Sequence, residues 1–567
     1  MHRGSLSNLE GSGGLFWHDG GVKHFINQPD SIVTEAIDAE VALSGGKLAR
    51  LDGFPAIKVV VRHDRDRSKV AVVSGGGAGH EPAHIGFVGD GMLTAAVCGE
   101  IFASPSVDAV LAAILAVTGA PGCLLIVKSY TGDRLNFGLA AERARAMGLN
   151  VEMVVVGDDI AIADALRPRG IAGTLFVHKV AGHLARAGAT LAAVKAAAER
   201  VANATVSIGL SMSSCTIPGR PAEGRMRPDE VELGLGIHGE PGAALISLAP
   251  IAQLAATMVA SVERALAARG PGRAPIALLV NDLGGVPPIE LAVATKAILE
   301  ASNRDVALVI GPGRLMTSLD MKGLSISALP LDPEIEGALL SSVEPRAWIP
   351  GRRPITFAPL ALPTALAPAE YPPSADAARR EAVQKICEAL VASQSTLDAL
   401  DAKVGDGDTG TTFAAAARDL LAALDGLPFA DAPALCAAVS ARLSRVMGGS
   451  SGILLAIFVA AMGARVGEPP DWVAALRAGV ERLEDYGGAR QGDRTMLDAL
   501  VPALVVLEAG GDLAAAARAA TEGAARTASI AKARAGRSSY VRSDALLGVA
   551  DPGAMAIAVA FDSLLHS

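Results

Sequence analysis

The chain reads as a multidomain protein, an α/β domain followed by an all-helical one, and three observations carry that reading. Between Ala56 and Ile310, short β-branched runs ending in glycine or polar turns alternate with alanine-rich stretches of helical period. Seven prolines (Pro350, Pro354, Pro359, Pro363, Pro368, Pro372 and Pro373) then follow in a stretch of little charge, the composition of an extended, semi-rigid linker. Beyond them the strand-like runs stop. Val383, Ile386, Cys387, Leu390 and Val391 sit at i, i+3, i+4, i+7 and i+8, one apolar helix face, and similar stretches continue to the C-terminus.

In order, the expected strands are Ala56 to Val61, Val70 to Val73, Leu124 to Val127, Val151 to Val156, Ile276 to Val280 and Val306 to Ile310. Their continuous apolar character predicts burial on both faces. Val107 to Val117 and Leu184 to Ala202 are expected helices. Ser211 to Pro241 is rich in Gly and Pro and poor in strand residues, so the first half is expected to form two subdomains, split near residue 205. The expected boundaries are a flexible leader over 1–21, an α/β domain over 22–349, the linker over 350–375 and a helical domain over 376–567.

Composition narrows the function. With 567 residues, 51% hydrophobic and 19% charged, the chain is long and apolar enough for several packed cores. Its formal charge of -9 and 3% aromatic content exclude a basic footprint or a base-stacking platform, so nucleic acid is not an expected partner. Cys98, Cys123, Cys215, Cys387 and Cys436 are widely spaced without a C-x-x-C pair, which fits reduced thiols in the cytoplasm. The Gly- and Ser-rich start lacks the apolar core of a signal peptide. Ile453 to Met462 is about half the ~20 residues needed to cross a bilayer, so a buried helix is expected there and no membrane partner.

Four segments carry candidate chemistry. Val70 to Val73 runs into Ser74-Gly75-Gly76-Gly77-Ala78-Gly79-His80-Glu81-Pro82, where glycines let a ligand approach the backbone and Pro82 suits the first turn of a following helix. A structural turn is the competing reading. His80-Glu81-Pro82-Ala83-His84 also matches H-E-x-x-H, but a zinc site needs both histidines inside one helix, and proline at an x position argues against it. Lys128 to Arg134 follows the strand Leu124 to Val127, where open α/β sheets gather ligands, with a capped solvent turn as the alternative. His238 is flanked by Gly234, Gly236, Gly239 and Gly242, which predicts a displayed rather than a core-packed imidazole. Nine of the ten histidines lie before residue 239, so imidazole chemistry belongs to the first half.

The fourth is Asp401-Ala402-Lys403-Val404-Gly405-Asp406-Gly407-Asp408-Thr409-Gly410-Thr411-Thr412. Three carboxylates within eight residues repel one another unless a hard cation lies between them, and oxygen ligands suit Mg²⁺. Calcium is less suited, since no bidentate Glu closes an EF-hand loop; a plain acidic turn is the remaining reading. Downstream, Gly448-Gly449-Ser450-Ser451-Gly452 can present N–H groups to phosphate. Gly492-Asp493-Arg494-Thr495-Met496 and Ala535-Gly536-Arg537-Ser538-Ser539-Tyr540 add cations suited to phosphate.

Taken in order, the segments at 75–82, 130–137, 236–242, 401–410 and 536–540 resemble the ATP-dependent dihydroxyacetone kinases (glycerone kinase and triokinase family), from about Phe25 to the C-terminus. The resemblance implies an α/β ketose-binding domain of two subdomains, a linker, and an all-α closed eight-helix barrel that binds ATP and Mg²⁺. It implies that His238 adds to the substrate ketone as a hemiaminal, with Gly77, His80, Lys128 and Asp133 around the sugar. Asp133 would be the base for the attacking hydroxyl and His80 would orient the substrate. Asp401, Asp406 and Asp408 resemble the holders of two Mg²⁺. Thr409, Gly410, Thr411, Thr412, Ser450, Ser451, Thr495, Met496, Arg537, Asp551 and Gly553 resemble the nucleotide-contacting positions.

The implied activity is phosphorylation of dihydroxyacetone in glycerol and carbohydrate metabolism, by a cytoplasmic homodimer with active sites shared between chains. Erythrulose or another short ketose would use the same residues. A cyclic-FMN lyase acting on FAD is a known side activity of relatives, with Mn²⁺ in the helical half. A catalytically silent regulator would be expected to lose part of the acidic cluster or His238, and both are present.

Overall fold

A computed structural model describes residues 23–565 except 54, 163–164, 222–223, 271, 273, 364–370 and 535–545. It divides into two compact units, 1–358 and 359–567.

The first unit holds two six-stranded mixed sheets. One contains β1 (Leu48–Arg50), β2 (Val59–Arg62), β3 (Ala71–Ala78), β4 (Ala95–Ile101), β5 (Cys123–Lys128) and β6 (Val151–Val156) in the order β1-β2-β4-β3-β5-β6. β3 pairs in parallel with both β4 and β5. The chain therefore leaves β3 to one side and returns on the other, the switch point at which open α/β sheets form a crevice at the carboxyl ends. The other sheet contains β7 (Val206–Ser211), β8 (Glu230–Leu233), β9 (Ala244–Ser247), β10 (Ile276–Asp282), β11 (Val306–Gly313) and β12 (Gly323–Pro330) in the order β11-β10-β12-β7-β8-β9. There β10 and β11 are parallel and the other pairs antiparallel.

Five layers result. Helices α2 (Val107–Val117) and α3 (Thr131–Ala146) cover the outer face of the first sheet. Its inner face shares one core with α4 (Thr174–Arg186), α5 (Leu191–Ala204) and Ala277, Leu279, Leu308 and Ile310 of the second sheet. The far face of the second sheet packs on α6 (Ile251–Arg269) and α7 (Pro288–Ala301). α6 is the one described helix long and apolar enough to cross a membrane. Its Leu254, Met258, Val259, Val262 and Leu266 are buried against that sheet.

Several expectations change. The expected helix Leu184 to Ala202 is two helices, broken at Gly188 (φ 82°), with Thr190 capping the second through Ala193 N–H. β3 does not stop at Val73 but runs through the glycines to Ala78. No helix follows Pro82, only a single 3-10 turn at Ile85–Phe87; the Gly79 and His80 carbonyls just before it accept from Leu319 N–H and Thr317 N–H instead of continuing into a helix. β8 lies inside the segment expected to be strand-poor. Arg352 exchanges two backbone hydrogen bonds with Val309, so the start of the proline-rich stretch is bonded into the first unit.

The second unit is all helical: α9 (Ala377–Ala392), α10 (Gln394–Val404), α11 (Thr409–Ala423), α12 (Ala432–Val446), α13 (Gly449–Arg465), α14 (Trp472–Gly487), α15 (Leu497–Glu508), α16 (Leu513–Arg526) and a last described helix, Pro552–Ser563. From α11 to α16 each packs on the next, the last helix packs on α16 and α9, and α9 on α11. These eight close a ring, with α10 as an extra helix against α11. Ring geometry corrects one expectation. A helix with only two flanking neighbours keeps an outward face, so α13 is mainly half-exposed, with only Gly452, Ala456 and Phe458 buried.

Candidate functional site

In the first unit, site side chains gather at the carboxyl ends of β3 and β5. Lys128 ends β5 fully buried, and Asp133 lies in the first turns of α3, also buried. A Cβ added at Gly76 would lie 3.2 Å from Lys128 Nζ and 3.6 Å from Asp133 Oδ2, so glycine lets the strand pass beneath both groups. Neither Lys128 Nζ nor Asp133 Oδ1 has a hydrogen-bond partner. Burial pulls the Lys128 ammonium below its usual range, opposed by the charges of Asp133 and Asp158. Two orphaned buried polar groups facing one spot call for a polar ligand. At Gly77 a Cβ would meet Ala103 N at 2.7 Å, so that glycine permits close chain packing.

His80 follows β3 completely buried, stacked on Phe102 with ring centroids 5.2 Å apart. Its Nδ1 lies 2.8 Å from the Thr317 carbonyl, which can only accept, so the proton sits on Nδ1 and Nε2 is left for a partner. That Nε2 lies 3.1 Å from His238 Nε2. Burial, then the charge of Lys128, holds His80 well below the usual imidazole range.

His238 is reached from the second sheet. Its Nδ1 faces Glu240 Oε1 at 2.9 Å, and Tyr130 packs on the ring at 4.5 Å. Burial pushes the Glu240 carboxyl up, but the hydrogen bond and charge of His238 outweigh it and hold it at about 2. The imidazole is therefore not simply displayed: its glycine neighbours leave room, and Phe102, Tyr130 and His80 arrive from other elements to fill it. Its loop is gripped along its length. Arg169 Nη2 donates to Gly234 O at 2.7 Å, Arg225 Nη1 to Gly239 O at 3.1 Å, Ser318 Oγ to Ile237 O at 2.5 Å, and Glu232 Oε1 accepts from Gly242 N at 2.6 Å. Asp159 and Glu232 pair with the two arginines at 2.7 and 2.8 Å.

The H-E-x-x-H match does not lie on a helix. His84 stands in a turn against His178, ring centroids 5.3 Å apart, and the described residues contain one candidate metal group, elsewhere.

That group is Asp401, Asp406 and Asp408, whose carboxylate oxygens lie within 4.8 Å of one another. Asp401 is buried, and its Oδ2 accepts from the backbone N–H of Gly407, Asp408 and Thr409 at 3.0 to 3.2 Å. One carboxylate thus folds the loop and the other two stand exposed on its surface, a donor set that suits a hard cation. Asp398 takes Thr411 N–H and Oγ1 at 2.8 and 2.9 Å, so the first turn of α11, with Thr409, Gly410, Thr411 and Thr412, is served by the chain's own acids.

Elsewhere in this unit Asp376, Asp431, Asp471, Asp512 and Asp551 cap helices through their side chains, whereas α10 starts without such a cap and so do α11, α13 and α15. Those three starts carry Thr409 to Thr412, Ser450 with Ser451, and Thr495 with Met496. A Cβ on Gly553 would lie 3.8 Å from Met496 N, which puts the Asp551–Gly553 turn beside α15. Burial pushes the Asp551 carboxyl up to about 7. Arg537 lies outside the described residues.

Arg494 does not serve phosphate. It is buried and donates to the Thr527, Ile530 and Leu546 carbonyls through Nη1 and to Val549 O at 2.7 Å through Nη2. A guanidinium looks the same in sequence whether it faces phosphate or carbonyls. Glu240, Thr317, Phe102, Tyr130, Arg169, Arg225 and Asp398 were not singled out from the sequence. Only Glu240, two residues past His238, carried a signal that could have found it; Thr317 acts through its backbone.

This is a two-part protein, with a polar site buried at the strand ends of an α/β unit and a carboxylate cluster at the start of α11 in a helical one. A Dak1 domain matches residues 47–347 and a DAK2 domain residues 403–566. Over 96% of its length the chain is 49% identical to the dihydroxyacetone kinase of Citrobacter freundii, covering 99% of that protein. It is 40% identical to the triokinase/FMN cyclase of Homo sapiens, covering 96% of this chain and 99% of that one. The crystal structure of the C. freundii kinase with AMP-PNP and Mg²⁺ superimposes with a TM-score of 0.74 at 47% identity, covering 96% of this chain and 99% of that chain. The chain belongs to the dihydroxyacetone kinase family.

Proposed function

We propose that the chain transfers the γ-phosphoryl group of ATP to dihydroxyacetone, with the ketose held as a hemiaminal on His238. The observation that carries this reading is the convergence of Lys128 Nζ and Asp133, both buried and with unpartnered polar atoms, at the same strand ends as the His80–His238 pair. The relatives support it: one is a dihydroxyacetone kinase with a structure holding an ATP analogue and Mg²⁺.

In this mechanism the lone pair on His238 Nε2 adds to the ketone carbon, the carbonyl π pair moves onto the oxygen, and that oxygen takes a proton from solvent. The ring becomes cationic, and the Glu240 carboxylate at Nδ1 balances that charge. Lys128 Nζ donates to a substrate hydroxyl and His80 Nε2 faces the adduct. Asp133 takes the proton from the hydroxyl that attacks phosphorus. Asp401, Asp406 and Asp408 would hold two Mg²⁺, which neutralise charge on the phosphates. Thr409 to Thr412, Ser450, Ser451, Thr495, Met496, Asp551 and Gly553, with Arg537, would line the nucleotide. A covalent bond to a carbonyl discriminates against glycerol, whose hydroxyls alone could be matched.

The free state of Cys98, Cys123, Cys387 and Cys436 supports a reducing, cytoplasmic location. A homodimer, each ketose site served by the partner's helical domain across the proline-rich linker, fits the reading. ADP release with ATP, Mg²⁺ and a panel of three- and four-carbon ketoses plus glycerol tests it. Dihydroxyacetone is expected to be preferred, and erythrulose preference would shift the substrate to four carbons. No ketose-dependent ADP release would end the kinase reading. Because a relative is named triokinase/FMN cyclase, FAD with Mn²⁺ belongs in the same panel.

A further inference from the structure

Arg494 is the largest fully buried side chain among the described residues, on a backbone with φ 67°, a conformation non-glycine residues seldom adopt. It heads the turn Arg494-Thr495-Met496, which enters α15. Its guanidinium reaches out of that turn to carbonyls at both ends of one stretch: Thr527 and Ile530 before it, Leu546 and Val549 after it, with Leu546 O at 2.8 Å and Val549 O at 2.7 Å. A carboxylate partner is not among these bonds; the buried cation is solvated by peptide dipoles, with Asp551 as the nearby opposite charge. Desolvating a guanidinium is costly, so this arrangement persists only where the carbonyls are held to receive it.

The segment it grips leads directly into the Asp551–Gly553 turn. Asp551 N–H donates to Thr527 Oγ1 at 2.7 Å, and Gly548 N–H to Ala528 O at 2.9 Å. On its other side Leu546 packs with Ala533 and with Val404, the last residue of α10 before the acidic loop. One side chain therefore ties together the Thr495–Met496 turn, the Asp551–Gly553 turn and the stretch that abuts the acidic loop.

We infer that Arg494 is a positioning residue for the nucleotide: it contacts no phosphate and fixes the backbone of two separate segments at the spacing the nucleotide needs. The inference rests on the nucleotide reading given above. Only a planar, five-donor group reaches four carbonyls at once, so lysine cannot replace it.

The test is calorimetric titration of the full chain with ATP and Mg²⁺, alongside KM values for ATP and dihydroxyacetone. Wild-type binding comes first; no ATP binding there would refute the nucleotide reading itself. If it binds, Arg494→Ala is expected to weaken ATP binding and raise its KM ten-fold or more, with the dihydroxyacetone KM within two-fold. Arg494→Lys should show most of that loss, and free guanidinium at millimolar concentration should restore ATP binding to Arg494→Ala. Unchanged ATP affinity, or a parallel rise in both KM values, overturns the inference. Insolubility of both variants, unrescued by guanidinium, also overturns it by assigning Arg494 to folding alone.

Discussion

The two units solve recognition by opposite means. In the first, His80, Lys128 and Asp133 are withdrawn from water and half-buried His238 is fixed beside them: His80 by Thr317, His238 by Glu240 and a clamped loop, Lys128 and Asp133 by the strand and helix that bury them. In the second, Asp401 is spent on shaping a loop while Asp406 and Asp408 stay exposed just before the start of α11. The difference follows the proposed ligands. A small neutral ketose offers only hydroxyls and a carbonyl, so selectivity needs desolvated, preoriented partners. A nucleotide with metal carries high charge, and solvated carboxylates that can take a hard cation suit it.

That contrast is open to attack at several points. The largest effect is expected from Asp406→Ala, which removes a proposed metal ligand worth several kcal/mol of charge stabilisation and should cost roughly 10³-fold or more in kcat. Because it relieves repulsion among three carboxylates, the melting temperature without metal should hold or rise. A collapsed fold with normal Mg²⁺ affinity would contradict the assignment. Asp133→Asn comes next. Loss of the base should lower kcat by about 10²–10⁴-fold while dihydroxyacetone binding, measured without ATP, persists.

Arg225→Gln is expected to be milder. It frees Gly239 O and leaves buried Glu232 without its cation, so the His238 loop should shift and kcat/KM for the ketose fall about ten- to hundred-fold, with the ATP KM unmoved. An ATP effect of equal size would blur the division between the units. The smallest effect on turnover concerns Asp551, whose influence falls on stability instead. Its carboxyl, raised to about 7 by burial, holds a proton in the fold that the unfolded chain releases near 4. It therefore stabilises most at low pH, and this contribution is lost as pH rises from about 4 to about 7. Asp551→Asn keeps an oxygen to accept from Ala554 N–H, so the variant should gain on the wild type over that window, by at most roughly 4 kcal/mol. A pH-independent difference in denaturant unfolding would show that burial does not govern Asp551.

Much of this architecture was legible because it rests on patterns that one residue type can carry. The continuous apolar run Leu124–Val127 read as a buried strand and is one, whereas Val151–Val156, expected to be buried on both faces, is an edge strand with Val155 exposed, and the acidic loop stood out from charge density alone. What stayed hidden depends on partners distant in sequence. The break at Gly188 was invisible because alanine-rich periodicity continues on both sides of it. His238 looked exposed because its packing comes from Phe102 and Tyr130, more than a hundred residues away. Thr317 acts through a carbonyl that every residue owns.

The most direct measurement is the NMR spectrum of dihydroxyacetone labelled with ¹³C at the carbonyl, bound without ATP to protein carrying ¹⁵N-histidine. A hemiaminal on His238 gives a tetrahedral carbon with a one-bond coupling to ¹⁵N, absent in His238→Ala. A bound ketose whose labelled carbon shows no nitrogen coupling in the wild type would contradict the account.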